Sequence, residues 1–380
     1  LVVISGGTSL GTGDHTGKVL ESLGTLRFHG VAMSPAKPVL FADIKGTPVL
    51  GLPGYSVSTY VAAHIYLRRI LSALTGLALS IKQEVHICAE DLPVKDVDQI
   101  LRVNLYDVDS LIYASRIPAG ASSLRSLSQM DGLLHLPAKT VVRKRDAVRV
   151  DVLSERPRNA IVIRGCRDPL IAALFDQYRE EWPESRILFW EAEAEEALQF
   201  IIERNSHMGV LTTPSLGPDW YGEFAAKLQE TMLRYRVLSR TIALMVNANQ
   251  PTDIQSLRSD ARIAVPKQQQ QVWSRFCKKH QLENAKVMIV DPEKMIPEFL
   301  RGQYWDAAFA DLRFAKSGLQ MLATVKEHVD LVVSETYAAM PAIAELIRVA
   351  ESDRFGKLVQ TQRGCEIRSR GLVDEMSHLS

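Results

Sequence analysis

The chain has 380 residues, 46% of them hydrophobic, enough for two or three domains with real cores. A formal net charge of +1 and the lack of any basic block argue against a nucleic-acid face. The four cysteines, Cys88, Cys166, Cys277 and Cys365, stand far apart with no C-x-x-C pair, a reduced, cytoplasmic pattern without a zinc site, and no apolar run is long enough to span a membrane.

Leu1 to Ile4 is apolar and mostly β-branched, which predicts a fully buried strand. The small residues Ser5, Gly6, Gly7, Thr8 and Ser9 break it, and Asp14 and Thr16 precede a helical run, Lys18 to Leu23, with Gly24 as its C-cap. A strand, a Gly/Ser/Thr turn and a helix set the loop at the carboxyl edge of a sheet, where N–H groups freed by glycine face an anion. The chain has no initiator Met and opens inside what composition makes a central strand. Such a strand needs neighbours on both sides, so earlier strands of this domain are expected upstream.

Leu26 to Met33 reads as a strand, followed by the stiff Ser34-Pro35-Ala36-Lys37-Pro38 loop. Val39 to Ala42 and Thr47 to Leu52 form a hairpin pattern around Lys45-Gly46. Pro53-Gly54-Tyr55-Ser56 is a tight turn, and Val57 to Leu74 a long helix ending at Gly76. Three loops that follow successive parallel strands fall on one edge. They offer N–H donors, the Asp14 carboxylate and the Lys37 ammonium. That set suits a phosphate or oxyanion, with Asp14 available to a hydrated magnesium ion. Turn chemistry alone, with Asp14 as an N-cap, accounts for the same residues equally well.

After Gly76 the pattern changes to short strands, Ile81–Ala89, Gln99–Leu105, Leu111–Ser115, Gly132–Pro137 and Ala147–Leu153, with no strong helix among them. This predicts a small β-barrel-like or sandwich-like domain over 77–154. Asp91, Asp96 and Asp98 fit no calcium loop and read as a solvated turn. Residues 155–159 are linker-like. From Ala160 the pattern is α/β again: strands at Ala160–Arg164, Arg186–Trp190, His207–Thr212, Val237–Val246, Arg262–Val265, Trp305–Ala310 and Val329–Val333. Helices are predicted at Asp168–Tyr178, Glu193–Arg204, Pro266–His280, Met295–Arg301 and Ala338–Ala350. Glu193, Glu195 and Glu196 form a solvated helix start favoured by the dipole. Cys166 has no His or Asn spaced as a triad partner. Trp220-Tyr221 is either lobe packing or a platform for a planar ligand.

SGGTSLGTGD, AMSPAKP and GLPGYSVS, in this order and spacing, resemble the molybdopterin molybdotransferase family, the gephyrin E-domain-like molybdenum insertases. Those carry SGG-S-G-x-x-D, a K-P-G-K-P loop and an L-P-G-N-P turn. The resemblance implies insertion of molybdate into adenylylated molybdopterin, release of AMP, a Mg2+ requirement and a homodimer with its site at the subunit boundary. It implies that Ser5, Gly6, Gly7, Thr8 and Ser9, with Pro53 and Gly54, line the pterin–phosphate pocket. Asp14 is then the acidic, metal-binding residue, and Lys37 helps hold the oxyanion. The family's first loop lysine is Ser34 here and its glycine Ala36, while Tyr55 and Ser56 replace Asn and Pro. Loss of one cation removes a charge-assisted contact of about 1.5–3 kcal/mol. Further acids of the family's site lie upstream of this sequence. AEDLP, ILRVNL, the Gly120–Ser123 turn and DGLLHLP match the family's β domain, where Arg102 and Ser122 sit toward molybdate; by pattern alone they are a solvated strand residue and a turn residue.

The order after Ala160 resembles periplasmic-binding-protein-like domains, of the kind found as substrate-binding halves of transcription regulators. The matching stretches are IVIRGCRDPLIAALFDQY, MGVLTTPS, RTIALMVNANQP, Gly302–Asp311 and YAAMPAIAELI. The resemblance implies two α/β lobes around a ligand cleft. The fold class is therefore α/β: a partial doubly wound molybdopterin-binding domain over 1–76, a small all-β domain, and a two-lobed domain over 160–380. Candidate ligand contacts, at loops before helices, are Gly165, Cys166 and Asp168, then Thr212 and Thr213, then Lys267 to Gln270. Four glutamines, Gln268 to Gln271, stand where relatives have a Gly/Ser-rich turn, so this loop makes no compact N–H nest. Two functions follow: a molybdate insertase with a fused small-ligand domain, or a non-catalytic pterin- or oxyanion-binding sensor or carrier. A DNA-binding regulator finds no helix-turn-helix in the sequence.

Overall fold

The computed structural model describes residues 1–9, 11, 13–118, 123–156, 159–215, 231–247, 253–257, 260–290, 304–315, 318–367 and 371–376. They form two compact units, Leu1–Asn159 and Ala160–Ser380. No helix among the described residues is long and apolar enough to cross a membrane.

The first unit opens with β1 (Val2–Ser5), α1 (Thr16–Leu23), β2 (Thr25–His29), β3 (Met33–Ser34), β4 (Leu40–Ile44) and β5 (Thr47–Leu52). Four of these strands form a sheet in the order β1-β5-β4-β2. The sheet is mixed rather than parallel. β1 runs parallel to β5, with Ser5 beside Leu52, whereas β4 is antiparallel to both β5 and β2. The Ser34–Pro38 loop lies between β2, which runs in the same direction as β1 and β5, and the antiparallel β4, so it falls on the edge where β1, β2 and β5 end and β4 starts. The β4–β5 hairpin turns at Lys45 (φ 53°) and Gly46 (φ 83°), two positive-φ residues whose twist matches the strands they join. Gly24 is extended, and a Cβ there would lie 2.3 Å from the Asp43 carbonyl oxygen. It is glycine for room, not for a left-handed C-cap. Among the described residues β1 pairs with β5 alone, and Val2 and Val3 are 46% and 42% exposed.

α2 (Ser56–Ala62) continues through a π turn, Ala63–Leu67, into α3 (Arg68–Thr75), which Gly76 ends with φ 72°. Then come β6 (Lys82–Cys88), β7 (Asp98–Val108), β8 (Leu111–Arg116), α4 (Leu124–Gln129), β9 (Gly132–Leu136) and β10 (Ala147–Val152). The order β7-β8-β6-β10-β9 closes by β9 pairing back to β7, a barrel, while β3 adds to β7 at Ser34–Gln99. Val103, Leu105, Ala114, Leu134, Val148 and Val150 form its core. The six-residue helix α4 was not anticipated; its Ser/Arg/Gln-rich sequence has no apolar period.

The second unit contains β11 (Ile161–Gly165), α5 (Pro169–Glu181), β12 (Ile187–Glu191), α6 (Ala194–Ile202), β13 (Met208–Pro214), β14 (Met232–Asn247), β15 (Arg262–Pro266), α7 (Gln270–His280), β16 (Lys286–Val290), β17 (Ala307–Asp311) and β18 (Leu319–Ser334). It ends with α8 (Glu335–Ala338), α9 (Pro341–Glu351), α10 (Asp353–Gln360), β19 (Cys365–Glu366) and β20 (Gly371–Met376). The sheet order β12-β11-β13-β18-β14-β17-β15-β16 makes two lobes. β11 to β13 with α5 and α6 form one; β15 to β17 with α7 form the other. β14 and β18, 16 residues each, pair antiparallel along both lobes, from Met232–Ser334 to Asn247–Leu319. Both run well past the spans the sequence predicts, and α10, β19 and β20 extend the chain beyond the predicted last helix. The predicted Met295–Arg301 helix and Trp220-Tyr221 lie outside the described residues.

Ring contacts hold the second lobe together: Phe309 lies 5.2 Å from Trp273 and 4.7 Å from Phe276 between ring centres. Phe309 is fully buried in that cluster. Phe309→Ala should therefore cost about 3–5 kcal/mol through lost contacts and a cavity, read as a lower urea midpoint for the second unit's transition.

Candidate functional site

The loop after β1 is built by two left-handed glycines, Gly6 (φ 84°) and Gly7 (φ 66°). Gly6 N–H donates to the Leu52 carbonyl at 3.0 Å, tying the loop to the end of β5. A Cβ on Gly7 would lie 2.8 Å from Thr16 Oγ1, so the loop also needs glycine for its approach to α1. Thr8 is buried; its hydroxyl donates to the Leu52 carbonyl at 3.1 Å and its carbonyl meets His29 Nε2 at 2.9 Å. Thr8 therefore braces the loop through its side chain. Gly7 and Thr8 N–H groups find no protein acceptor among the described residues. Asp14 Oδ2 accepts from Ser9 N–H at 2.5 Å, closing the loop upon itself.

The Pro53–Gly54 turn meets this loop: a Cβ on Gly54 would stand 3.7 Å from Gly6 Cα. The Thr59 hydroxyl bonds the Pro53 carbonyl and fixes the turn at the start of α2. Ala36 holds φ 80° at the place of the family's glycine, so the loop keeps its left-handed bend despite the methyl. Lys37 beside it is exposed and makes no ion pair among the described residues. Ser5, Gly6, Gly7, Ser9, Asp14, Lys37, Pro53 and Gly54 thus belong to one sheet edge.

Arg102 lies on β7 in the barrel, 8% exposed, with Nη1 2.5 Å from the Ser126 hydroxyl. Burial, and then the neighbouring Arg116 charge, lower its pKa, which an incoming anion would relieve. Ser122 lies outside the described residues. Ser126, on α4, is the hydroxyl missed by sequence reading; the Ser-rich run around it was the available signal.

In the second unit the predicted contacts separate. Gly165 (φ 145°) would place a Cβ 2.0 Å from the Val210 carbonyl oxygen, and Cys166 N–H already donates to that oxygen at 2.9 Å. The end of β11 therefore lies tight against its parallel neighbour β13, where Gly165 pairs with Val210. Thr212 is in the β13–β18 pairing, opposite Val329. Lys267 is exposed at a single 3-10 turn, Lys267–Gln269, before α7.

Asp168 instead sits in a buried charge cluster that sequence reading missed. It caps α5 through Leu170 N–H at 2.7 Å. Arg313, just after β17, holds both its oxygens, at 3.0 and 2.6 Å. Arg240 on β14 reaches Asp168 at 2.7 Å and Glu327 on β18 at 2.6 Å. Asp311 accepts from Arg313 at 3.0 and 2.6 Å. Burial alone would raise the Asp168 carboxyl, but the Arg313 hydrogen bonds and both guanidinium charges hold it below the usual range. Burial raises Glu327 despite Arg240. Among the described residues no group of three or more His, Cys, Asp or Glu could hold a metal ion.

Residues 1–73 match the family model described as a probable molybdopterin binding domain. These residues are a molybdopterin-binding-type domain. A molybdopterin molybdenumtransferase of Haemophilus influenzae is 37% identical over 76 residues, covering 20% of this chain and 19% of that protein. A solved molybdopterin biosynthesis protein from Pyrococcus horikosii is 32% identical, covering 40% of this chain and 37% of that one at a TM-score of 0.34. The substrate-binding protein of an amino acid ABC transporter is 10% identical, covering 54% and 99% at a TM-score of 0.37. The chain spans about a fifth to a third of the length of the curated relatives it matches. By its own strand order, the second unit is a two-lobed α/β domain.

His328, next to Glu327 on β18, meets Ser239 Oγ at 2.7 Å through Nδ1. Burial, with Arg236, Lys326 and Arg234, pushes its imidazole down to about 4. The unfolded chain then binds the proton better, so stability is full above about 6.5 and falls as pH drops toward the folded value. Between about pH 7 and pH 4.5 the wild type should lose about 1–2 kcal/mol more than His328→Asn, after discounting for solvent screening, measured as urea midpoints.

Proposed function

We propose that the first unit inserts molybdate into adenylylated molybdopterin with release of AMP, a step of molybdenum cofactor biosynthesis, and that the second unit is a fused small-ligand-binding domain. The observation that carries the reading is the sheet edge of the first unit. Two left-handed glycines leave the Gly7 N–H open on the same sheet edge as the Asp14 carboxylate and the Lys37 ammonium, which makes no ion pair among the described residues, within a molybdopterin-binding-type domain. Successive N–H groups in such a bend form an anion-binding concavity.

In this reading the exposed Gly7 N–H takes a phosphate oxygen. Lys37 lies against the oxyanion, where its charge offsets negative charge brought in by both substrates. The Pro53–Gly54 turn walls the pocket. Asp14 uses one oxygen on Ser9, and its other oxygen would be the protein ligand of a hydrated Mg2+ ion. That ion would neutralise phosphate charge and orient the leaving group. Insertion forms two Mo–S bonds and breaks Mo–O bonds, the displaced oxo groups leaving as water with the thiol protons and protons from solvent, while hydrolysis of the phosphoanhydride releases AMP; the protein's part is positioning and electrostatics. Arg102 with Ser126 supplies a second cation, and in a homodimer with its site at the subunit boundary it would come from the other subunit.

Ser34 favours a second reading. It stands where the resemblance expects a lysine, so one cation of the oxyanion site is gone. The chain would then be a pterin- or oxyanion-binding sensor or carrier that works through its second unit.

Molybdate-dependent AMP release from adenylylated molybdopterin separates the two. The insertase reading expects release by the wild type. It expects a loss of about 10- to 100-fold in kcat/KM for Lys37→Ala, one charge-assisted contact, and a larger loss for Asp14→Ala. A folded wild type that binds the adenylylated substrate but releases no AMP would leave the carrier.

A further inference from the structure

We propose that Asp168 is a built-in ligand of the second unit: its carboxylate fills a seat for a small planar carboxylate formed jointly by the two lobes. This rests on the two-lobed architecture and not on the insertase reading, so the two can fail separately.

Four N–H donors converge on this one side chain. Leu170 N–H at 2.7 Å and Arg313 Nη1 at 3.0 Å take Oδ1; Arg313 Nη2 at 2.6 Å and Arg240 Nη1 at 2.7 Å take Oδ2. That fills the acceptor capacity of a carboxylate, about four sites. An N-cap needs one such bond. The paired Arg313 contacts have the parallel fork geometry that suits a planar carboxylate. The donors also come from different places: the start of α5 in the first lobe, the turn after β17 in the second, and the long β14 between them.

The seat is stiffened from behind. Asp311 holds Arg313 through Nε and Nη2, and Glu327 holds Arg240 through Nε. Asp168, Asp311 and Glu327 are at most 1% exposed, and Arg240 is 3% exposed. Glu327 Oε1 is buried with no hydrogen-bond partner among the described residues, a spare acceptor inside the cluster. Three carboxylates already face two guanidiniums. An external anion therefore finds no uncompensated positive charge while Asp168 is in place. Without the Asp168 carboxylate, Arg313 and Arg240 keep their orientation through Asp311 and Glu327, and their inner N–H groups point at a hole of formate size.

The test is thermal unfolding of the full chain with formate, against chloride at equal ionic strength. Wild type should show no formate-specific shift. Asp168→Ala should unfold at lower temperature, and formate at about 100 mM should raise its midpoint by about 3 °C or more. Asp168→Ser, which keeps a capping hydroxyl for α5, should respond in the same way and serves if the alanine variant does not fold. Adding Arg313→Gln to either should abolish the response. Equal shifts in wild type and variants, or no shift in either folded variant, would overturn the proposal and leave Asp168 a helix cap with ion-pair partners.

Discussion

The second unit depends on the pairing of β14 with β18. These strands run antiparallel over 16 residues each and belong to both lobes, so every other strand of that sheet is placed relative to them. Their middle is charged. Arg236 stands opposite Asp330, and Arg240 opposite Glu327. Buried ion pairs are poor sources of net stability because desolvation offsets their attraction. Their value lies in register: a slip of one residue would leave Arg240 and Glu327 buried without partners, an expensive state, whereas apolar pairs would tolerate it better. The two bulges, at Arg236/Leu238 and Leu244/Met245, lie on either side of Arg240 and let the strands keep that register as they pass from one lobe to the other.

This same charge pairing explains what the sequence left unread. Hydrophobic patterning located the apolar ends, Val237–Val246 and Val329–Val333. It stopped short where Arg234, Arg236, Lys326 and Glu327 interrupt it. The partners of those charges are 94 and 87 positions away, a relation no local pattern carries. Features set by local backbone demands were legible. The Lys45-Gly46 hairpin, the Asp168-Pro169 start of α5 and the left-handed stop at Gly76 each follow from a residue whose conformational preference is its own. Gly165 shows the limit of such reading: a Cβ there would lie 2.0 Å from the Val210 carbonyl oxygen, a demand set by a residue 45 positions away.

The two units treat negative charge in opposite ways. In the first, the β1 loop, the Lys37 loop and the Pro53–Gly54 turn share an edge because β1 and β5 run parallel while β4 starts where they end. Gly7 and Lys37 are exposed, the Asp14 carboxylate is half-engaged and the lysine makes no ion pair among the described residues. In the second, two arginines with deep burial and rigid support surround a carboxylate already supplied by the chain. The difference follows from solvent. An exposed ammonium such as Lys37 waits for an anion at little cost, because water screens it. A buried guanidinium such as Arg240 has no such option; leaving it unpaired would be strongly destabilising. The chain therefore carries the counter-ion of its buried site, and leaves the counter-ion of its exposed site to whatever molecule arrives there.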